Sequence, residues 1–293
     1  MSAAPDPAPA ATRRRSCLSV PGSAPAMLAK AAARGADEVV IDLEDAVAPA
    51  AKDDARAAVV EALRSLDWGG VAVAVRVNAR DTPWCEADLA ALAAAPGPLR
   101  SIVLPKVERA DDVAFAERLL GDGGPRLQAL IETAAGVARA QEIAAASARL
   151  ETLIVGYADL AASLGRTAAG AADPAAWDAI RELVLLAARA HGLQAIDGPY
   201  LGLRPDEAFA AAARRARDQG YDGKWAIHPA QVEPLNELFT PGEDEVAHAR
   251  AVVAALATAQ RDAGQGAVAL DGQMLDEPVR LAALRVLARA GEA

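Results

Sequence analysis

Aromatic residues are scarce in this chain, 3% of 293 residues, although 53% are hydrophobic. Ala, Val and Leu supply the apolar content, the vocabulary of packed helices and buried strands. Cysteine is nearly absent: Cys17 and Cys85 form no CxxC pair, which excludes a disulfide framework and a thiolate zinc site. Both read as reduced thiols of a cytoplasmic protein. Three scattered histidines argue against a His-based zinc centre. Positive charge is short as well, with a net charge of −10 and a pI near 4.9. That balance argues against a nucleic-acid binder, while a few local Arg and Lys can still hold an anionic ligand. No apolar run reaches the ~18 residues of a membrane span. No long apolar segment follows the basic residues 13–15, so residues 1–12 read as a flexible tail rather than a signal peptide. There is no GxGxxG phosphate turn, only "VPGSAP" at 20–25.

What is present is alternation. Short apolar runs occur at 17–20, 38–44, 71–78, 101–106, 127–133, 151–156, 193–197 and 224–228. Each precedes an Ala-rich helical stretch, and Gly and Pro punctuate the joins. Eight strand–helix units in a chain of this length predict a TIM (β/α)8 barrel over residues 13–240. Residues 241–293 lie beyond the eighth unit. They read as a C-terminal extension: a helix, a glycine-rich turn at 264–278, and a last helix at 279–290.

A barrel gathers the C-terminal ends of its strands around one mouth. Those ends carry Asp42 and Glu44, Arg76 and Asn78, Lys106, Glu132, Asp159, Asp197 and His228. Asp42 and Glu44 are two apart and share a face, so their repulsion needs basic neighbours or a cation. Adjacent strands about 4.8 Å apart let Glu132 and Asp159 share a divalent cation such as Mg2+. Equally, Asp159 can cap a helix while Glu132 pairs with Lys106 or Arg76. Arg76 suits a carboxylate or carbonyl bidentately, or neutralises Asp42 or Glu44. Lys106 reads first as a structural ion pair, and His228, before Pro229, as a capping residue. In the extension, Asp271 and Asp276 are candidates for a lid.

The stretches "RRSCLSVPG", "GADEVVIDLEDAVAP", "VRVNARDTPW", "IVLPKVE", "LIETAAGV", "AIDGPY", "GYDGKWAIHPAQ" and "DGQMLDEP" occur in this order. Over residues 13–290 the chain resembles the HpcH/HpaI aldolase superfamily. It is most similar to the citrate lyase β-subunit-like branch, which includes malyl-CoA and citramalyl-CoA lyases. The resemblance implies a TIM barrel with a C-terminal extension, assembled as a homotrimer or homohexamer. It implies Mg2+ held by Glu132 and Asp159, an oxo-acid contacted by Arg76, and coenzyme A carried by the substrate. It implies that Asp276 reaches a neighbouring subunit's site as acid or base. Asp42 and Glu44 would support the metal's water shell, and Arg14 and Lys30 would help hold CoA. Two positions depart from the family pattern: Ala158, where Glu is frequent, and Ala24, where Arg is common.

The expected activity is therefore Mg2+-dependent C–C cleavage of a 3-hydroxyacyl-CoA, or its reverse, giving an acyl-CoA and glyoxylate or pyruvate. The rivals are a thioesterase on the same substrates, a citrate lyase subunit working with an acyl-carrier protein, and a CoA-free 2-oxo-acid aldolase. A barrel that binds CoA thioesters without turnover is the non-enzymatic rival.

Overall fold

The structure is a computed structural model and describes residues 12–292 apart from 96, 264, 265 and 271. The expected tail lies outside the described residues except for Thr12. The chain divides into two compact units, one ending at Asn236 and one beginning at Glu237.

The larger unit is a closed barrel of eight parallel strands in sequential order. They are β1 (Ser16–Pro21), β2 (Glu38–Asp42), β3 (Ala72–Arg76), β4 (Leu99–Leu104), β5 (Arg126–Ile131), β6 (Leu150–Val155), β7 (Gln194–Asp197) and β8 (Gly223–Ala226). β1 pairs with both β2 and β8, which closes the ring. All eight expected strands are present. The barrel stands because side chains alternate in and out along a strand. Cys17, Val40, Ala74, Val103, Leu130, Ile154, Ile196 and Trp225, one from each strand, pack together as the central layer. Two residues earlier on several strands lies a polar lower layer, and two residues later the upper layer that forms the mouth.

The lower layer is sealed by Arg14, which is 2% exposed. Its Nε donates to Glu38 Oε1 at 2.9 Å, and its Nη atoms donate to Gln194 and Glu151. Gln128 also donates to Glu38, at 2.9 Å, and to Ser101 Oγ, at 2.7 Å. This corrects the expectation that Arg14 helps hold CoA. Arg14 precedes β1, so it sits at the N-terminal end of the strands, away from the mouth, with its guanidinium buried against Glu38, Gln194 and Glu151.

The smaller unit contains a helix over Glu243–Ala263, a hairpin and a helix over Glu277–Ala290. Its own apolar core includes Val246, Ala249, Val252, Leu256, Leu275 and Leu287. The segment read as a glycine-rich turn is in part a hairpin, β9 (Val268–Leu270) with β10 (Gln273–Leu275), paired antiparallel. Gly272, at φ +78°, supplies the left-handed residue its turn needs. Among the described residues no helix is long and apolar enough to cross a membrane.

Removing one partner of a buried ion pair strands the other charge. Arg14→Met is therefore expected to lower unfolding stability by about 3–5 kcal/mol, measured by urea denaturation, with KM for a CoA thioester unchanged. A raised KM at unchanged stability would return Arg14 to a ligand-binding role.

Candidate active site

The mouth is built from the loop after β2. Asp42, the last residue of that strand, is buried, and its carboxylate accepts from the backbone N–H of Glu44 (2.8 Å) and Ala46 (3.0 Å). These bonds turn the chain sharply and bring Glu44 back over the barrel. Lys52, in the first turn of the helix Lys52–Ser65, donates its ammonium to the carbonyls of Leu43 (2.8 Å) and Glu44 (2.7 Å). The loop is thus pinned from both sides.

Arg76 ends the neighbouring strand β3 and faces Asp42. Its Nε and Nη2 donate to the two Asp42 oxygens at 2.8 and 2.6 Å. Its Nη1 lies 2.8 Å from Glu44 Oε2 and 3.4 Å from Asp45 Oδ2. The Trp225 ring lies beside the guanidinium, 5.6 Å from its centroid. Burial alone would raise the Asp42 pKa, but the Arg76 hydrogen bonds and charge outweigh it and hold the carboxyl below its usual range. Glu44 is shifted the other way. Its burial outweighs Arg76 and Lys106, so its pKa is raised. Asp45 points outward and is exposed.

Glu132 follows β5 and is 2% exposed. Its Oε1 accepts from the Lys106 backbone N–H at 2.9 Å. Its carboxylate packs against Gly156, where any Cβ would collide with it. Asp159 stands in the first turn of the helix Tyr157–Ser163 that follows β6. No ion pair within 4.0 Å neutralises Glu132 among the described residues. Burial first, then the charges of Glu44 and Asp159, push its pKa up to about 8. Lys106 ends in an ion pair with Glu44 and lies 3.5 Å from Asp159 Oδ1.

Arg76, Asp42, Glu132 and Asp159 line one cavity of ≈ 380 Å³, together with Tyr157 and Trp225. The charges there do not balance. With all four ionised, the carboxylates Asp42, Glu44, Glu132 and Asp159 face two cations, Arg76 and Lys106, a deficit of two positive charges that the cation-free site relieves by keeping a proton on Glu132. A divalent cation fits that deficit. Among the described residues no three acidic, His or Cys ligands converge, so protein would supply two carboxylates. That suits Mg2+, which keeps several of its waters.

Other residues named from sequence lie elsewhere. Asp197 turns away from the mouth into a buried pair with Lys224 (2.5 Å) and accepts from the Tyr157 hydroxyl. His228 Nδ1 accepts from the Ala230 N–H at 3.2 Å and caps a short turn. Lys30 is exposed on the helix Pro25–Ala31, beside a separate cavity of ≈ 220 Å³ that it shares with Arg34. Asp276, in the smaller unit, caps the helix Glu277–Ala290, its carboxylate accepting from Val279 N–H at 3.4 Å. Asp271 lies outside the described residues. Lys52 and Tyr157 are the site residues that sequence reasoning missed: Lys52 lies on a helix beyond the strand ends, and Tyr157, two residues past β6, carries no charge to single it out.

A family model described as HpcH/HpaI aldolase/citrate lyase matches residues 15–229. The chain is similar to the L-malyl-CoA/beta-methylmalyl-CoA lyase of Cereibacter sphaeroides, 40% identical, with 92% of each chain covered. It is 41% identical to a (3S)-malyl-CoA thioesterase of the same organism, over 94% of each. Among solved structures it is similar to CitE from Mycobacterium tuberculosis in complex with magnesium, acetoacetate and coenzyme A. That likeness has a TM-score of 0.78 and 37% identity, covering 96% of this chain and 99% of that one.

The position of Glu132 has a consequence for pH. Its folded pKa, about 8, lies above the unfolded value near 4.3, so the cation-free fold holds a proton that the unfolded chain releases. This group therefore favours the fold least above pH 8, and its contribution declines as pH rises from about 4.3 to 8. A cation bound at Glu132 would need the carboxylate, so Mg2+ binding there would release a proton below pH 8. Calorimetry should show apparent Mg2+ affinity rising between pH 6 and 8, by up to about tenfold per unit, with proton release in buffers of different ionisation enthalpy. Pointing away from this would be a pH-independent affinity with no proton exchange.

Proposed function

Because the chain belongs to the HpcH/HpaI aldolase/citrate lyase family, we propose that it is a Mg2+-dependent carbon–carbon lyase of a 3-hydroxyacyl-CoA. Malyl-CoA and its methylated relatives are the substrate class, and the products are an acyl-CoA with glyoxylate or pyruvate. The observation that carries this reading is the cation deficit around Glu132 and Asp159 at the barrel mouth.

Glu132 and Asp159 would hold the Mg2+, which would supply Lewis-acid polarisation of the oxo-acid oxygen. Arg76 orients the oxo-acid. A guanidinium has five N–H donors; Asp42 and Asp45 accept from three of them and Glu44 pairs through charge alone, which leaves donor capacity on the Nη atoms for substrate. In the cleavage direction the hydroxyl gives up its proton to solvent and its carbon becomes a carbonyl as the bond to the α-carbon breaks. The electron pair passes into the thioester enolate. Asp276 delivers a proton to that α-carbon, and takes it back in the reverse reaction. Asp42 and Glu44 act through others: one fixes Arg76, the other ties Arg76 to Lys106. Lys30 lends a positive charge to the CoA phosphates.

Asp276 belongs to a unit separate from the barrel. We assign it to the mouth of a neighbouring copy, in a homotrimer or homohexamer. The two free, buried thiols fit a reducing cytoplasm.

A thioesterase is the second reading, because a relative bearing that name is as similar as the lyase. Mass spectrometry after incubation with Mg2+, malyl-CoA and citramalyl-CoA separates the two. Acetyl-CoA plus glyoxylate or pyruvate identifies the lyase; free CoA plus intact hydroxyacid identifies the thioesterase. Asp276→Ala and Glu132→Gln are each expected to cost at least about 100-fold in turnover.

A further inference from the structure

Lys106 is the one non-glycine residue with positive φ among the described residues, at +51°. Lysine has no intrinsic reason to adopt the left-handed region, and such outliers persist where the surroundings over-determine them. The conformation does two things. It aims the Lys106 N–H at Glu132 Oε1, 2.9 Å away. It also carries the side chain over the mouth, where the ammonium pairs with Glu44 and lies 3.5 Å from Asp159 Oδ1. One residue thus touches three of the four carboxylates.

Arg76 cannot share this task, since Asp42, Glu44 and Asp45 occupy it. Among the described residues, Lys106 supplies the one side-chain cation within 4.0 Å of Asp159. Yet Asp159 is one of the two carboxylates assigned to the divalent cation. The ammonium and the metal therefore compete for the same oxygen.

Resting on that metal assignment, we propose that Lys106 is a resident counterion of the metal site. Its ammonium neutralises Asp159 while no divalent cation is bound, and yields Asp159 to the cation while keeping its pair with Glu44. The acidic residues are thereby held in place before metal arrives, and the metal is bound less tightly than the bare carboxylates would bind it. Lys106 is a positioning residue in this scheme. It touches neither the substrate nor the reacting atoms.

The sign of the effect is testable. A residue that merely positions the ligands weakens metal binding when altered, whereas a competitor strengthens it when its charge is removed. Lys106→Met keeps the length of the stem and deletes the charge. Removing a unit charge roughly 6 Å from a divalent ion in a water-like dielectric predicts Mg2+ or Mn2+ binding tighter by about tenfold. The melting temperature of the cation-free variant should fall, and its rise on adding Mg2+ should exceed that of the unaltered protein. Lys106→Arg, which keeps the charge, should bind metal as the unaltered protein does. Lys106→Gly gives an independent check, because glycine adopts φ +51° freely and keeps the N–H to Glu132; it too should bind metal more tightly. Unchanged or weaker binding in both uncharged variants overturns the proposal. Asp159→Asn in the otherwise unaltered protein separates the two assignments. If it leaves metal binding intact, the metal assignment has failed and the counterion with it. If it abolishes binding while Lys106→Met and Lys106→Gly fail to tighten it, the counterion alone is wrong.

Discussion

The ion pair between Arg76 and Asp42 is the contact on which the mouth depends. Both groups are nearly out of water, and either alone would be a costly buried charge. Two parallel N–H···O bonds join them across neighbouring strands, so β2 and β3 must end in register for the pair to close. The same Asp42 carboxylate then turns the following loop by accepting two backbone N–H groups, and that turn delivers Glu44 to the other edge of Arg76. Lys52 secures the loop from beneath through two carbonyls. Local turn, strand register and site electrostatics are thus one arrangement.

The two ends of the barrel treat charge differently. At the lower end Arg14 meets Glu38 and Glu151, with Gln128, Gln194 and Ser101 extending the polar layer. Charges and hydrogen bonds there stiffen the base. At the upper end cations are too few. Glu132 is hydrogen-bonded to one backbone N–H, and its pKa is raised first by burial and then by the charges of Glu44 and Asp159, which outweigh Lys106 and Arg76. A site that is under-neutralised without its metal spends fold stability on binding readiness, the usual trade at functional positions.

The barrel was legible because every strand has an apolar run bounded by Gly, Pro or charge, and because eight such runs match one architecture. The residues at the mouth were legible for the same reason: Asp42, Arg76 and Glu132 sit where a strand stops. Arg14 misled because nearness in sequence to "VPG" says nothing about which end of a strand a residue occupies. Asp197 misled through parity. It follows Ile196, which faces the central layer, so its own side chain points to the outer side and meets Lys224. The hairpin at 268–275 was hidden by flanking glycines that resemble a loop. Lys52 and the left-handed backbone of Lys106 had no signature at all, since both roles follow from tertiary placement rather than local pattern.

The lysines also decide how carbon–carbon chemistry can run here. An aldolase can activate its carbonyl by forming a Schiff base, which requires an unprotonated, accessible amine. The chain has four lysines. Lys30 lies exposed on the helix Pro25–Ala31, beside a cavity other than the central one. Lys52 has a lowered pKa through burial, but both Leu43 and Glu44 carbonyls hold its ammonium beneath the loop. Lys224 is locked between Asp197 and the Gly198 carbonyl. Lys106 alone reaches the mouth. Burial would lower its pKa, but the hydrogen bond and charge of Glu44 outweigh that and hold it above the ordinary lysine range. The one amine near the substrate is therefore kept as a cation and cannot act as a nucleophile at neutral pH. Polarisation of the oxo-acid must come from fixed positive charge, which is what the deficit at Glu132 and Asp159 is arranged to recruit.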